Sequence, residues 1–81
     1  MNKVEEKLSH CFALVFPKMD PSQRAIATTE NTSGWDSIAQ VTLLTLIGEE
    51  FAIDIDFEEF EGATSFAALA SRINQITSGA S

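Results

Sequence analysis

Apolar residues recur with a helical period in three stretches of this chain. The first stretch predicts an amphipathic helix over 4–16 that ends before Pro17; its apolar stripe comprises Val4, Leu8, Cys11, Phe12 and Val15. The last predicts a second amphipathic helix behind a capping Ser65; its stripe comprises Phe66, Leu69, Ala70, Ile73 and Ile76. Between them, residues 38–51 predict the longest helix of the chain.

This middle helix is apolar on nearly all sides, because no charged residue occurs from Ile38 to Gly48. A helical wheel places Leu43, Leu46 and Ile47 on one face, which we assign to the core. The opposite face carries Ile38, Val41 and Thr45. Either this second face is a docking surface for partners, or the preceding loop folds over it and makes it part of the core. We favour docking.

The connecting segments favour loops. Residues 17–34 contain two prolines and predict a long irregular loop, for which Ile26 is the expected apolar anchor. Residues 51–57 alternate as a strand would, but no second strand is available to pair with them. We therefore predict an extended segment that plugs the bundle, followed by a short helical turn over 57–61.

These elements predict an all-α fold: a small four-helix bundle of three main helices and one short helix, with a long first loop. Residues 1–76 form a single domain in this interpretation, and residues 77–81 form a disordered tail. We expect a monomer, with a free energy of unfolding of about 4 to 8 kcal/mol.

Charge restricts the partners. The chain has 12 acidic residues against 5 lysines and arginines, a net charge of −7. A nucleic acid or an anionic membrane would need a basic patch, so neither is expected to bind, and basic partner proteins are expected instead. The single cysteine, Cys11, cannot form an internal disulfide, and the first residues carry no secretory pattern. We therefore expect a cytoplasmic protein without membrane insertion.

The junction before the middle helix carries the candidate chemistry. After polar and small residues, Gly34-Trp35-Asp36-Ser37 leads directly into the apolar helix. The first turn of a helix offers unpaired N–H groups and a partial positive charge, which suit a phosphate attached to Ser37. Asp36 and Ser37 are also good capping residues, and Ser37 with Gln40 fits a capping box. From these residues alone, Ser37 is either a helix cap or a modification site.

The motif resembles that of the acyl carrier protein family, whose members carry a serine in an Asp-Ser-Leu type motif at the start of the second helix. Here the motif is Asp36-Ser37-Ile38, and the segment 49–55 is similar to the family's Glu-Glu-Phe-Gly-Ile-x-Ile. The similarity extends over about residues 4–76. It implies that Ser37 receives a 4′-phosphopantetheine arm from coenzyme A, donated by a separate phosphopantetheinyl transferase. The arm's thiol would hold acyl groups as thioesters, and Asp36 would belong to the transferase's recognition motif.

The sequence departs from the family at several positions. Carriers of fatty acid synthesis have acidic residues along the second helix, where this chain has Ala39, Thr42 and Gly48, and Glu49 is its first acid. A neutral helix implies partners that recognise an apolar and hydroxyl surface, which we assign to Ile38, Val41, Thr45 and Glu49. Trp35 replaces a commoner small residue, as in discrete carriers of specialised pathways, and is expected to pack the loop against the bundle. Gly48 predicts either close packing or a close partner.

The leading hypothesis is a non-catalytic acyl carrier that hands intermediates between acyl-loading and acyl-processing enzymes in fatty acid, polyketide or other specialised biosynthesis. An aminoacyl or peptidyl carrier would use the same residues. An acidic helical interaction module, in which Ser37 is only a cap, is the alternative from another class. Enzymatic activity is not expected, because the sequence has one histidine, no nucleophile and base grouping, no glycine-rich phosphate loop and no metal-ligand pattern.

Overall fold

The computed structural model describes residues 3–79, and it is all-helical in that range. The helices are α1 (Lys3–Val15), α2 (Pro21–Ala25), α3 (Ser37–Phe51) and α4 (Phe66–Gly79). Helix α1 packs against each of the other three. Extended pairing within the described residues is limited to one isolated bridge between Thr28 and Ser65. The predicted bundle of three main helices and one short helix is confirmed.

The core forms where the apolar stripes of α1 and α4 meet the buried face of α3. On α1, Leu8, Cys11 and Phe12 are buried, as predicted. Phe12 is at the centre: its ring centroid lies 5.3 Å from that of Trp35 and 5.2 Å from that of Phe66. Other buried members of the core are Leu43, Leu44, Ile47, Phe60, Leu69 and Ile73.

The short helix lies at a different place from the one predicted. It is α2, within the segment we expected to be irregular, and it begins at Pro21 behind the N-cap Asp20. Asp20 and Gln23 form a reciprocal capping box, and a proline suits the first turn because its missing N–H would have had no partner there. Residues 57–62 form successive turns instead, with i to i+3 bonds such as Phe60 N–H to the Phe57 carbonyl.

The predicted loop anchor is wrong. Ile26 is 70% exposed, whereas Ala27 and Trp35 are buried. The loop is held by backbone bonds to the start of α4: Thr29 N–H donates to the Thr64 carbonyl, and Phe66 N–H donates to the Ala27 carbonyl. These bonds turn Ala27 inward and leave its neighbour Ile26 outside.

Helix α3 buries Leu43, Leu44 and Ile47, while Leu46 is only partly buried. Gly48 lies where the chain packs back on the helix: a Cβ there would be 3.1 Å from Ile55 Cγ1 and 3.3 Å from the Ile53 carbonyl oxygen. Close packing therefore accounts for this glycine. The helix ends at Ala52, which adopts a left-handed conformation with φ of 54°.

The segment from the end of α3 packs on the bundle with some of the predicted side chains and with one that we did not predict. Phe51 and Ile55 are partly buried against the core, but Phe57 is 49% exposed. Phe60 is fully buried and provides the main apolar contact. The successive turns over 57–62 reverse the side-chain direction, so strand-like alternation does not continue to Phe57.

Helix α4 continues past residue 76, where we placed the domain boundary, and reaches Gly79. The Thr77 hydroxyl donates to the Ile73 carbonyl at 2.9 Å, which ties this residue to the preceding turn. Residues 80 and 81 of the predicted tail lie outside the described residues.

Candidate functional site

The start of α3 is capped by Asp36, not by Ser37. Asp36 has extended backbone angles, and its carboxylate accepts the Ala39 N–H at 2.9 Å. Its carbonyl accepts the Gln40 N–H, also at 2.9 Å. Ser37 is therefore the first residue inside the helix, and the predicted capping box of Ser37 with Gln40 is not formed.

Ser37 is exposed, and its hydroxyl makes none of the hydrogen bonds found within residues 3–79. The backbone N–H groups of Ser37 and Ile38 are likewise without an acceptor in this part of the chain. A phosphate on the Ser37 oxygen would thus meet open space, two unused donors and the positive end of the α3 dipole. Ser37, Asp36 and the first turn of α3 fit a phosphate-linked group.

The turn that presents Ser37 is fixed from behind by Trp35. Gly34 has φ of +90°, a backbone conformation that is strained for any residue with a side chain, and the chain reverses direction there. Trp35 N–H donates to the Thr32 carbonyl, and its side chain is 6% exposed. The indole packs edge-on against Phe12, with an interplanar angle of 87°. The predicted packing role of Trp35 is confirmed, and the buried indole holds the exposed serine two residues later.

The outer face of α3 is open. Ile38 is 78% exposed and Val41 is 53% exposed, and Thr45 and Glu49 are also exposed. The loop over 17–34 does not cover this face, which removes the alternative that the face is part of the core. The face is also less polar than its sequence indicates. The Thr42 hydroxyl donates to the Ile38 carbonyl, and the Thr45 hydroxyl donates to the Val41 carbonyl.

An apolar groove of about 570 Å³ runs beside Ser37. One wall is the first half of α3, with Val41 and Leu44, and the other wall is the turn segment, with Phe57 and Phe60. Acidic residues border it, and its lining includes no basic residue; the acids are Asp36, Glu58 and Glu61. The groove can shelter an apolar group attached near Ser37, whereas its carboxylates oppose an anionic one.

A second groove, of about 580 Å³, lies between the end of α1 and the loop over 17–34, which contains α2. Phe16, Met19 and Ile26 contribute to its walls. It contains none of the site residues predicted from sequence, so we do not assign it to the site at Ser37.

Other reactive side chains do not form a catalytic or metal-binding group in residues 3–79. No cluster of histidine, cysteine, aspartate and glutamate there could hold a metal ion. Burial, with a smaller contribution from the negative charge of Glu50, raises the pKa of the Cys11 thiol to about 11, so it is a neutral core group at physiological pH. Within the same range, no helix is both long enough and apolar enough to span a bilayer.

Sequence reasoning missed Phe57, Phe60 and Gln40 as parts of the site. Phe57 and Phe60 face Ser37 only because the turns over 57–62 fold back on α3. For Gln40 the sequence did contain a signal: a tryptophan and a glutamine lie five residues apart on the two sides of a helix start, and an indole N–H needs an acceptor. The Gln40 side chain accepts the Trp35 indole N–H at 2.7 Å.

Comparison with known proteins identifies one family. The family model described as "Phosphopantetheine attachment site" matches residues 18–73, which span the α2 loop, the Ser37 turn, α3 and most of α4. No curated protein and no solved structure matches the chain.

Proposed function

The chain belongs to the family defined by the phosphopantetheine attachment site, and on that premise we propose that Ser37 carries the arm. Members of this family bind 4′-phosphopantetheine covalently and are carriers, not catalysts. Ser37 is supported by one observation above the others: it is an exposed hydroxyl without a partner in the described residues, at the start of α3. Asp36 performs the capping, which leaves Ser37 available.

In this proposal the chain supplies the Ser37 hydroxyl that accepts the phosphopantetheine group, and it supplies no catalytic residue. The Ser37 oxygen loses its proton to solvent or to a base of the transferase and attacks the phosphate that carries the pantetheine. The phosphoanhydride bond of coenzyme A breaks, 3′,5′-ADP leaves, and a phosphodiester remains on Ser37. The N-terminus of α3 stabilises the added negative charge. The arm supplies a thiol that holds the cargo as a thioester. The interaction module without an arm, considered from sequence, does not agree with membership of this family.

We further propose that the cargo is an acyl group. The groove beside Ser37 is apolar in its walls, with Val41, Leu44 and Phe57, and suits a hydrocarbon better than a carboxylate. In this proposal the acyl group serves fatty acid, polyketide or other specialised biosynthesis. The aminoacyl or peptidyl carrier is the competing assignment, and the bordering carboxylates could accept an ammonium group.

The proposed partner surface is the outer face of α3: Ile38, Val41, Thr45 and Glu49. Exposed aliphatic side chains next to the modified serine can anchor a transferase and then the loading and processing enzymes. The net charge of −7 favours partners with basic rims. A cytoplasmic location suits the free, buried Cys11 thiol, and we propose that the carrier acts there as a monomer.

Intact mass after incubation with coenzyme A and a broad-specificity transferase tests the site. We expect wild type and Ser33→Ala to gain one phosphopantetheine and Ser37→Ala to gain none. Ser33 is the matched control because it is an exposed serine four residues before Ser37, outside the helix. An unmodified wild type, or modification of Ser37→Ala at the wild-type rate, would refute the assignment.

Loading assays test the cargo. The modified protein is offered separately to acyl-adenylating and aminoacyl-adenylating enzymes, and thioester formation is read by mass. We expect acyl loading to be faster. Faster aminoacyl loading would replace the acyl assignment with the aminoacyl one and leave Ser37 as the attachment residue.

A further inference from the structure

The Gln40 side chain joins the Ser37 turn to the opposite wall of the groove. Gln40 lies in the first turn of α3, three residues after Ser37. Its Oε1 accepts the Trp35 indole N–H at 2.7 Å. Its Nε2 lies 3.4 Å from the carbonyl oxygen of Phe60 and 3.4 Å from that of Ala63. One amide thus contacts both segments that form the groove.

The chemistry of the partners determines how this amide is oriented. An indole N–H can only donate, so it must face the amide oxygen. Backbone carbonyls can only accept, so they must face the amide nitrogen. A carboxylate at this position would accept from Trp35 but would repel the Phe60 and Ala63 carbonyls. A purely apolar side chain would satisfy neither partner.

Both ends of the link are fixed in the core. Trp35 is 6% exposed, Phe60 is 0% exposed and Ala63 is 6% exposed. Around such buried groups a hydrogen bond is strong, and a donor left without an acceptor is costly. The bond from Trp35 therefore constrains the backbone immediately before Asp36 and Ser37.

We propose that Gln40 is a positioning residue for the modification of Ser37. It acts through Trp35, whose place fixes the turn that presents the serine, and through the Phe60 and Ala63 carbonyls, which set the distance across the groove. Gln40 itself does not contact the reacting oxygen in this role. The inference rests on the proposed attachment at Ser37.

Two substitutions separate the halves of the link. Gln40→Glu keeps an acceptor for Trp35 and loses the donor to the carbonyls. Gln40→Met has a similar length and loses both. Ile73→Val is the control, because it removes a buried methylene on α4 and lowers stability through a small cavity without touching the link.

The first readouts are kcat and KM of the transferase for each carrier variant. The second is the fluorescence of Trp35, which is easily assigned because the sequence has one tryptophan and no tyrosine. Displacing a reacting group by about 1 Å can slow a reaction about a hundredfold, so we expect kcat for Gln40→Met to fall roughly tenfold to a hundredfold. KM should change little, because Ile38 and Val41 remain available for docking. Gln40→Glu should fall between wild type and Gln40→Met, with Trp35 emission closer to wild type.

The inference is overturned if folded Gln40→Met, or Gln40→Glu should the first variant not fold, is modified with wild-type kcat and KM. It is also overturned if kcat falls no further than in Ile73→Val. Failure of the wild type to be modified at Ser37 would be a different result. That outcome refutes the attachment site, and Trp35 emission in the variants would still report whether the link exists.

Discussion

At the start of α3, two adjacent residues divide two tasks. Asp36 takes the capping position because its backbone is extended and its carboxylate reaches the Ala39 N–H. Ser37 is then inside the helix, where its hydroxyl has no structural use in the described residues. The cap hydrogen bond is therefore made by a different residue from the one that we propose is modified.

This division predicts unequal effects on stability for the two residues. Asp36→Ala should lower the free energy of unfolding by about 0.5 to 2 kcal/mol, the usual cost of a lost N-cap. Ser37→Ala should change it by less than about 0.5 kcal/mol, as expected for an exposed residue without partners. Urea unfolding followed by circular dichroism measures both. A larger loss for Ser37→Ala than for Asp36→Ala would mean that the serine is the cap.

Cys11 gives a prediction for pH. Burial raises the pKa of the folded thiol from 9.0 to about 11, so between these values the unfolded chain loses a proton that the folded chain keeps. The folded state binds more protons there, and the free energy of unfolding should therefore fall as the pH rises from about 9 to 11. Below pH 9 this group contributes no pH dependence.

Denaturation at several pH values tests this for wild type and Cys11→Ala. The stability difference between them should shrink above pH 9. At pH 8, alkylation of Cys11 should be slow in the folded chain and fast in urea. Rapid alkylation of the folded protein would contradict the buried position.

At the scale of elements, the end of α3 carries a local strain. Ala52 adopts φ of 54°, and an L-residue in this region pays roughly 1 to 2 kcal/mol relative to its preferred conformations. Glycine adopts it without that cost, and the carrier segment that 49–55 resembles has glycine at this position. The chain retains an alanine at a position where the helix terminus favours glycine.

Ala52→Gly should therefore raise the free energy of unfolding by about 0.5 to 1 kcal/mol, after the larger unfolded-state entropy of glycine is subtracted. The control is Ala13→Gly in the last turn of α1, where the backbone is right-handed helix, and this change should lower the free energy of unfolding by up to about 1 kcal/mol. Thermal unfolding compares the two. Equal losses in both variants would show that the left-handed conformation at residue 52 is not occupied in solution.

At the scale of the whole molecule, one aromatic cluster connects the bundle to the turn that presents Ser37. Phe12 of α1 contacts Phe16, Trp35 and Phe66, so it touches the Ser37 turn and α4 at once. In a chain of 81 residues, loss of this one ring removes a large part of the net stability.

We expect Phe12→Ala to cost about 3 to 5 kcal/mol, which is a large part of an expected stability of about 4 to 8 kcal/mol, and to lower the melting temperature accordingly. Leu14→Ala on the same helix should cost less than about 0.5 kcal/mol, because Leu14 is 59% exposed. Circular dichroism and Trp35 fluorescence should report the same transition in wild type. A loss below about 1 kcal/mol in Phe12→Ala, or a Trp35 transition that precedes helix unfolding in wild type, would show that the turn is not coupled to the core in this way.

The sequence by itself determined the three main helices and the candidate serine, because both depend on local patterns. The spacing of Leu8, Cys11 and Phe12 specifies a buried stripe, and Asp36-Ser37 before an apolar run specifies a helix start. Tertiary structure decided what depends on residues distant in sequence. It placed Ala27 inside and Ile26 outside, and it brought Phe57 and Phe60 to the groove beside Ser37. It also linked Gln40 to Phe60 and Ala63, which are 20 and 23 positions further along the chain. Local periodicity cannot specify these contacts, because they form only when the 17–34 loop pairs with the start of α4 and the turns over 57–62 pack back against α3.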